Sequence, residues 1–97
     1  IVSERGIGTP VVRSRNNRGI IAMRRGDPTS AVVFFRAARG LRPDLPDSYF
    51  YEAKVLNGLG RPEDAIAMID QGLVASPDNQ MLLTARAEIA AARQASP

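Results

Sequence analysis

Two stretches with the same punctuation decide the fold: GDPTSAVVFFRAARGLRPD at residues 26–44 and GRPEDAIAMIDQGLVASPD at residues 60–78. Each begins with a glycine, has a proline at its third position and ends in Pro-Asp, so the interval from Gly26 to Gly60 recurs from Pro28 to Pro62. A repeat of roughly 34 residues is typical of a helical solenoid, in which each unit buries its apolar face only against its neighbours.

The glycines and prolines in these stretches mark helix ends. Gly26 and Gly60 suit the left-handed conformation that closes a helix, and Pro28 and Pro62 suit the first position of the next helix, where a missing N–H costs nothing. The two-residue breaks between the helices are too short for anything but antiparallel neighbours. We therefore predict an all-α fold, a right-handed superhelical stack of antiparallel helix hairpins with about five helices.

The same signals divide the rest of the chain. Residues 1–12 hold two glycines and a proline without helical periodicity, which predicts an extended lead-in before a domain over residues 13–97. Asp27, Asp44 and Asp78 are the predicted helix caps. In chain order the helices are predicted at about 13–25, 28–41, 45–59, 62–76 and 79–94. The repeats then cover about residues 12–45 and 46–79, and a capping helix covers about residues 79–94.

These residues resemble the tetratricopeptide repeat family, whose unit is a helix, a tight turn and a second helix of the same period. The resemblance covers about residues 12–94 and includes the start of a third unit that stops after its first helix. In the first unit the aromatic-and-leucine half of the family pattern is degraded, whereas the other half is intact at Gly19, Ala31, Phe35 and Pro43. In the second unit the pattern falls on Tyr49, Glu52, Ala53, Leu56, Ala65, Ile69 and Pro77.

Small residues recur in this pattern where paired helices must approach closely. A larger side chain there would overpack the interface at a cost of about 1–3 kcal/mol. Phe35 is predicted to fill the gap between units, so that its truncation to Ala costs about 3–5 kcal/mol. The predicted structural positions are Gly19, Gly26, Ala31, Phe35, Pro43, Ala53, Gly60, Ala65 and Pro77.

One departure from the family pattern carries charge. Arg18, Glu52 and Arg86 stand one repeat length apart, at positions where the family most often has leucine. Because successive first helices lie side by side, one hypothesis is a ladder of alternating charges that sets the register of the units. The alternative is three solvated charges, with each pair worth about 0–1 kcal/mol.

Tetratricopeptide arrays usually bind an extended peptide along the concave face, which is lined by the first helix of each unit. Phe50 and Tyr51 are the main candidate anchors, since aromatic side chains dominate binding hot spots. The alternative is that both rings are buried against the second helix or against a neighbouring repeat. By resemblance, the concave face presents Arg13, Arg24, Asp47 and Ala85 together with the predicted groove residues, which are Asn16, Asn17, Ile20, Met23, Phe50, Tyr51, Lys54, Asn57, Met81, Thr84 and Glu88.

One branch of the family clamps the acidic tail of heat-shock chaperones with two asparagines and several basic residues. All five corresponding places in this chain are uncharged, so a carboxylate would meet no cationic side chain there. Those places hold Asn16, Ile20, Tyr51, Met81 and Ala85. The resemblance therefore does not extend to that function.

The arginines in the first predicted helix make nucleic acid an alternative partner, because they could contact several phosphates. Such binding would depend strongly on salt. At about 100° per residue, Arg13 and Arg24 share one side of the helix, while Arg15, Arg18 and Arg25 share another. No interleaved aromatic residues are available for base stacking. We therefore expect no specific nucleic-acid binding.

Composition argues against catalysis. The chain has no cysteine and no histidine, the commonest sources of thiolate and imidazole for nucleophiles, bases and metal ligands. Its carboxylates cluster at predicted helix starts, where they offset the helix dipole. We expect no enzymatic activity, no cofactor and no metal. The longest apolar stretches, such as residues 31–35, fall far short of the roughly 18 residues that span a membrane.

The sequence therefore favours a non-catalytic module that binds a protein or peptide partner in its groove. Residues 1–42 carry a net charge of +7 and residues 43–97 a net charge of −4, so the Arg-rich end favours acidic partners, and open stack ends allow self-association. The alternative is a regulatory or substrate-docking segment of a larger enzyme, such as a glycosyltransferase or sulfotransferase. The start at Ile1 without a leader favours a segment excised from a longer chain. The predominance of arginine and alanine suggests a bacterial source, and the lack of cysteine fits cytoplasm and periplasm equally.

Overall fold

The computed structural model describes the backbone of residues 4–95 and the side chains of residues 10–95. Its helices are α1 (Glu4–Arg24), α2 (Pro28–Leu41), α3 (Asp47–Gly58), α4 (Pro62–Ala75) and α5 (Gln80–Ala95). Each helix packs against the next one along the chain, and α3 also packs against α1 and α5. Within the described residues the backbones of α2 and α4 do not approach each other closely, so the stack curves with α1, α3 and α5 on its concave side. The predicted all-α stack of helical hairpins is confirmed.

Two identical backbone turns reverse the chain within the units. Gly26 has a φ of 77° and Gly60 a φ of 78°, the left-handed conformation that favours glycine. In each turn the glycine N–H donates to the carbonyl three residues earlier at 3.0 Å. The next N–H donates to the carbonyl five residues earlier, at 2.9 Å in the first copy and 3.0 Å in the second. These bonds satisfy the last carbonyls of α1 and α3, as in a Schellman motif.

The predicted cap is correct for α2 and wrong for α3 and α5. The carboxylate of Asp27 accepts a hydrogen bond from the Ser30 N–H at 3.1 Å. Hydrogen bonds from the Ser30 side chain and backbone hold the pKa of Asp27 below its ordinary value of 3.8. Asp44 instead accepts hydrogen bonds from Arg42 at 2.8 and 2.9 Å. Pro46 explains the difference, because it disfavours helical conformation at the residue before it and so delays the start of α3. In α5 the cap is Asn79, which accepts from the Leu82 N–H at 3.0 Å.

The expected extended lead-in over residues 1–12 is also wrong where the structure describes it. Helix α1 begins at Glu4 and contains Pro10, so the domain boundary placed at residue 13 falls inside a helix. Residues 1–3 lie outside the described part of the chain. Proline removes one intrahelical hydrogen bond and each glycine costs about 1 kcal/mol relative to alanine, which is why these residues argued against a helix. Burial of Val12, only 3 % exposed, offsets part of that cost.

Two apolar clusters fill the stack. The smaller joins α1, α2 and α3, and in it Phe35 is fully buried among Ala22, Ala31 and Val55. The larger joins α3, α4 and α5 and contains the fully buried Ile69 and Leu82. Five of the predicted structural positions are buried: Gly19, Ala31, Phe35, Ala53 and Ala65. The others close α1 and α3 (Gly26, Gly60) or follow α2 and α4 (Pro43, Pro77).

Replacing Gly19 by alanine tests the close approach of α1 and α2. A Cβ at Gly19 would lie 2.7 Å from Cζ of the buried Phe35 ring, so we expect a loss of about 1–3 kcal/mol in unfolding free energy. A Cβ at Gly40, on the exposed side of α2, would meet nothing within 4 Å. Gly40→Ala should therefore stabilise by up to about 1 kcal/mol through helix propensity alone. Urea unfolding followed by circular dichroism measures both, and equal effects would contradict the packing argument.

Ion pairs join each unit to the next one. Glu52 in α3 is 1 % exposed, and its Oε1 lies 2.8 Å from Nη1 of Arg39 in α2, close but not aligned as a hydrogen bond. Arg36 Nε approaches the other carboxylate oxygen at 3.7 Å. At the next junction Arg86 in α5 pairs with Asp70 in α4 at 2.7 Å. The hypothesis of a ladder along the first helices is therefore wrong: Glu52 and Arg86 each pair with the second helix of the preceding unit.

The two junction pairs occupy equivalent positions with their signs exchanged. Glu52 and Arg86 are one repeat length apart, and so are their partners Arg36 and Asp70. The two junctions of this chain thus hold the pair in opposite polarities. These pairs join one unit to the next and do not line the pockets of the concave face.

A double-mutant cycle distinguishes this arrangement from the ladder. Because the Glu52 carboxylate is removed from water beside Arg39, the variants Glu52→Ala and Arg39→Ala should show a coupling of about 1–3 kcal/mol in unfolding free energy. The matched cycle of Glu52→Ala with Arg18→Ala should give less than about 0.5 kcal/mol. A larger coupling energy between Glu52 and Arg18 than between Glu52 and Arg39 would support the ladder hypothesis instead.

Candidate functional site

Pockets lie along the concave face, between the first helices of the units. The α1–α3 pocket has a volume of about 230 Å³. It is lined by Val12, Arg13, Asn16, Asn17, Ile20, Leu45, Asp47 and Tyr51. The α3–α5 pocket consists of two adjoining depressions of about 200 and 320 Å³ that share Phe50, Ala85 and Glu88. Its remaining lining residues are Lys54, Asn57, Gln80, Met81, Thr84 and Ile89.

A buried amide lies in the wall of the α1–α3 pocket. Asn16 is only 6 % exposed, and its side-chain oxygen has no hydrogen-bond donor among the described residues. A buried acceptor without a donor costs about 1–3 kcal/mol, so such atoms are rare in folded proteins. Arg13 and Asp47 are exposed side chains of the same pocket and carry opposite charges. The pocket thus combines apolar walls, balanced charge and one unsatisfied acceptor.

Two aromatic rings connect this pocket to the core and to the α3–α5 pocket. Tyr51 stacks on Phe35, with ring centroids 5.5 Å apart and an angle of 16° between the rings. Phe50 meets Tyr51 edge to face at 5.2 Å. Because Phe35 is fully buried, this chain of contacts restrains the orientation of both rings. Both are half-buried, so the rings pack on the core and line the pockets at once, which combines the two alternatives drawn from the sequence.

Opposite charges also line the α3–α5 pocket. The ammonium of Lys54 lies 5.2 Å from the centre of the Phe50 ring, within cation–π range. Glu88 lines the pocket from α5, and Asn57 adds an exposed amide from α3. The floor is apolar, since Ala85 and Ile89 are buried. A ligand here would meet an aromatic ring, a cation, an anion and an apolar floor.

The structure brings all but one of the predicted groove residues into these pockets. Met23 is the exception: it packs against the cluster around Phe35 and lines neither pocket. The α1–α3 pocket takes Asn16, Asn17, Ile20 and Tyr51, and the α3–α5 pocket takes Phe50, Lys54, Asn57, Met81, Thr84 and Glu88. Their role in binding stays a prediction.

Sequence reasoning missed four lining residues: Val12, Leu45, Gln80 and Ile89. Val12 had been placed in the lead-in, and Leu45, placed at the start of the third predicted helix, lies in the loop before α3. Ile89 lies in α5. Its position four residues after Ala85 places it on the same helix face, and this signal was available.

The order and spacing of these elements agree with a known family. A model of that family, described as tetratricopeptide repeat, matches residues 22–89. This chain belongs to the tetratricopeptide repeat family. The match begins near the end of α1 and extends into α5, so it includes the second to fourth helices completely. No curated protein matches the chain.

Tetratricopeptide repeats generally mediate protein–protein interaction and are typically non-catalytic. Two further observations concern only the described residues. No three carboxylate, imidazole or thiol groups among them are placed to hold a metal ion. None of the helices in that part of the chain has the length and apolarity to cross a membrane.

Proposed function

We propose that this tetratricopeptide repeat domain is a non-catalytic module that binds an extended segment of a protein partner along the α1–α3 and α3–α5 pockets. The observation that carries the proposal is the buried side-chain oxygen of Asn16, which lacks a donor in the wall of a pocket. A ligand that supplies an N–H to this oxygen would remove the cost of the unpaired acceptor.

An extended polypeptide fits this requirement better than other ligands do. Its backbone offers one N–H at every residue, and its successive side chains point in opposite directions, so that alternate ones face the groove. The amide of Asn16 can accept from a backbone N–H and donate to a backbone carbonyl. Ile20 and Tyr51 then supply apolar walls for a side chain of the ligand, and Phe50 supplies the next contact along the groove.

The charges of the groove favour a peptide of mixed rather than acidic character. Arg13 and Asp47 offset each other in one pocket, and Lys54 and Glu88 offset each other in the other. The excess of arginine in residues 1–42 therefore does not make the groove itself basic. An apolar side chain flanked by one acidic and one basic residue is the best complement to these walls.

Selection from a random-peptide phage library against the wild-type domain, with Kd values measured by fluorescence polarisation, tests the proposal. Asn16→Ala should raise the Kd of the selected peptides by about tenfold, because the peptide N–H loses its buried acceptor. Asn57→Ala should also weaken binding, since this exposed amide lines the α3–α5 pocket. Gln71→Ala is the matched control, an exposed amide on α4, outside the concave face.

Chemical-shift mapping of the amide resonances supplies the second readout. Binding in the groove should perturb α1, α3 and α5 more than α2 and α4. Peptides that bind Asn16→Ala and Asn57→Ala as tightly as wild type, or that perturb mainly α2 and α4, would overturn the proposal. Circular dichroism of each variant shows whether its fold is retained.

A further inference from the structure

Three positions on one side of α1 hold the same residue types as the side of α5 that α4 covers. A shift of two repeat lengths relates Arg18 to Arg86, Ile21 to Ile89 and Arg25 to Arg93. In α5 these residues pack against α4, the helix that precedes it. Among the described residues the corresponding side of α1 is open: Ile21 is 48 % exposed, and no described acidic side chain pairs with Arg18.

The equivalent surface of α5, which packs against α4, shows which kind of helix this surface can bind. Arg86 pairs with Asp70 at 2.7 Å, and Arg93 pairs with Glu63 at 3.7 Å. Ile89 lies between the two arginines and packs in the apolar cluster that contains Ile66 and Ile69 of α4. The occupant of the α5 surface is thus an amphipathic helix with two carboxylates seven residues apart and isoleucines beside them.

The equivalent surface of α1 is concave and long enough for a helix. One depression of about 290 Å³ includes Val11, Ser14 and Arg18, and a second of about 640 Å³ includes Arg18, Ile21 and Arg25. They meet at Arg18 and together extend from Pro10 in α1 to Arg25, the residue after α1, which at 1.5 Å per residue is about 22 Å. We call this surface, defined by Val11, Ser14, Arg18, Ile21 and Arg25, the outer α1 face. A helix of about four turns, the length of α2 or α4, matches it.

We propose that the outer α1 face binds an acidic amphipathic helix of a partner protein, seated on α1 as α4 is seated on α5. Carboxylates seven residues apart on the partner pair with Arg18 and Arg25, and an apolar residue between them covers Ile21. Charge complementarity supports an acidic occupant, because Arg15, Arg18 and Arg25 line the two depressions against the single carboxylate of Asp27.

A second copy of this chain is a poorer occupant. Its α4 already covers α5, where the fully buried Leu82 stands at the position equivalent to Ser14. Exchange of α5 for the outer α1 face of another molecule would therefore replace a buried leucine contact by a serine contact. The intramolecular arrangement also avoids the entropy cost of association.

A peptide with the α4 sequence, residues 62–75, is the probe. Isolated helices of this length are marginally stable, so the peptide carries a side-chain cross-link between positions 67 and 71, both of which are exposed in α4. We expect saturable binding to the wild-type domain that weakens as salt is raised. Arg18→Glu should weaken it about tenfold, since the variant places a carboxylate opposite Asp70 of the peptide.

Charge exchange makes the test specific. A peptide that carries Asp70→Arg should bind Arg18→Glu better than it binds wild type, because the α2–α3 junction already holds the pair with the opposite polarity. Arg24→Glu is the matched control, with the same change of charge at an exposed arginine outside the outer α1 face. It should leave the Kd within about twofold of the wild-type value.

Several outcomes would overturn the proposal. These are absence of saturable binding by wild type, equal weakening by Arg24→Glu, or failure of the exchanged peptide to recover binding. Sedimentation velocity adds another, since a dimer that Arg18→Glu dissociates would make a second copy the occupant. Groove peptides selected on the concave face should bind Arg18→Glu normally, so the two proposals can fail independently.

Discussion

The packing of one ring, Phe35, links the fold to the groove. The ring enters the space left by the missing side chain of Gly19 and stacks on Tyr51 at 5.5 Å, which joins α1, α2 and α3. Tyr51 in turn forms a wall of the α1–α3 pocket and touches Phe50 in the next pocket. The shape of the concave face therefore depends on a buried contact between units. Loss of that contact would lower the unfolding free energy and would displace both Tyr51 and Phe50 in the groove.

Backbone conformation and residue size explain why much of the fold could be predicted from the sequence. Gly26 and Gly60 take the left-handed conformation that their spacing indicated, and Pro28 and Pro62 begin helices. Such signals are local, because they depend on the conformations open to a single residue. The start of α1 was missed for a related reason. Pro10 and its neighbouring glycines argue locally against a helix, whereas the burial of Val12 depends on packing against the rest of the molecule.

Pairing of charged side chains was the least predictable part. Glu52 stands at a position where leucine is usual, and its spacing from Arg18 and Arg86 suggested a ladder. Periodicity places a residue on a helix face, but it does not say which neighbouring helix that face meets. Arg39 and Arg36 reach Glu52 from α2, which the sequence could not show without the angle between the helices. The unpaired oxygen of Asn16 was equally hidden, because satisfaction of a polar atom depends on all its neighbours.

The chain reversals at Gly26 and Gly60 use only main-chain hydrogen bonds and one left-handed glycine each. The residue that follows the glycine differs in charge, Asp27 in one turn and Arg61 in the other, and the geometry is the same. The turn is therefore an interchangeable joint. Units can be gained or lost by recombination at such joints without redesign of the connection, so the number of hairpins in an array of this kind can evolve separately from the surfaces that the hairpins display.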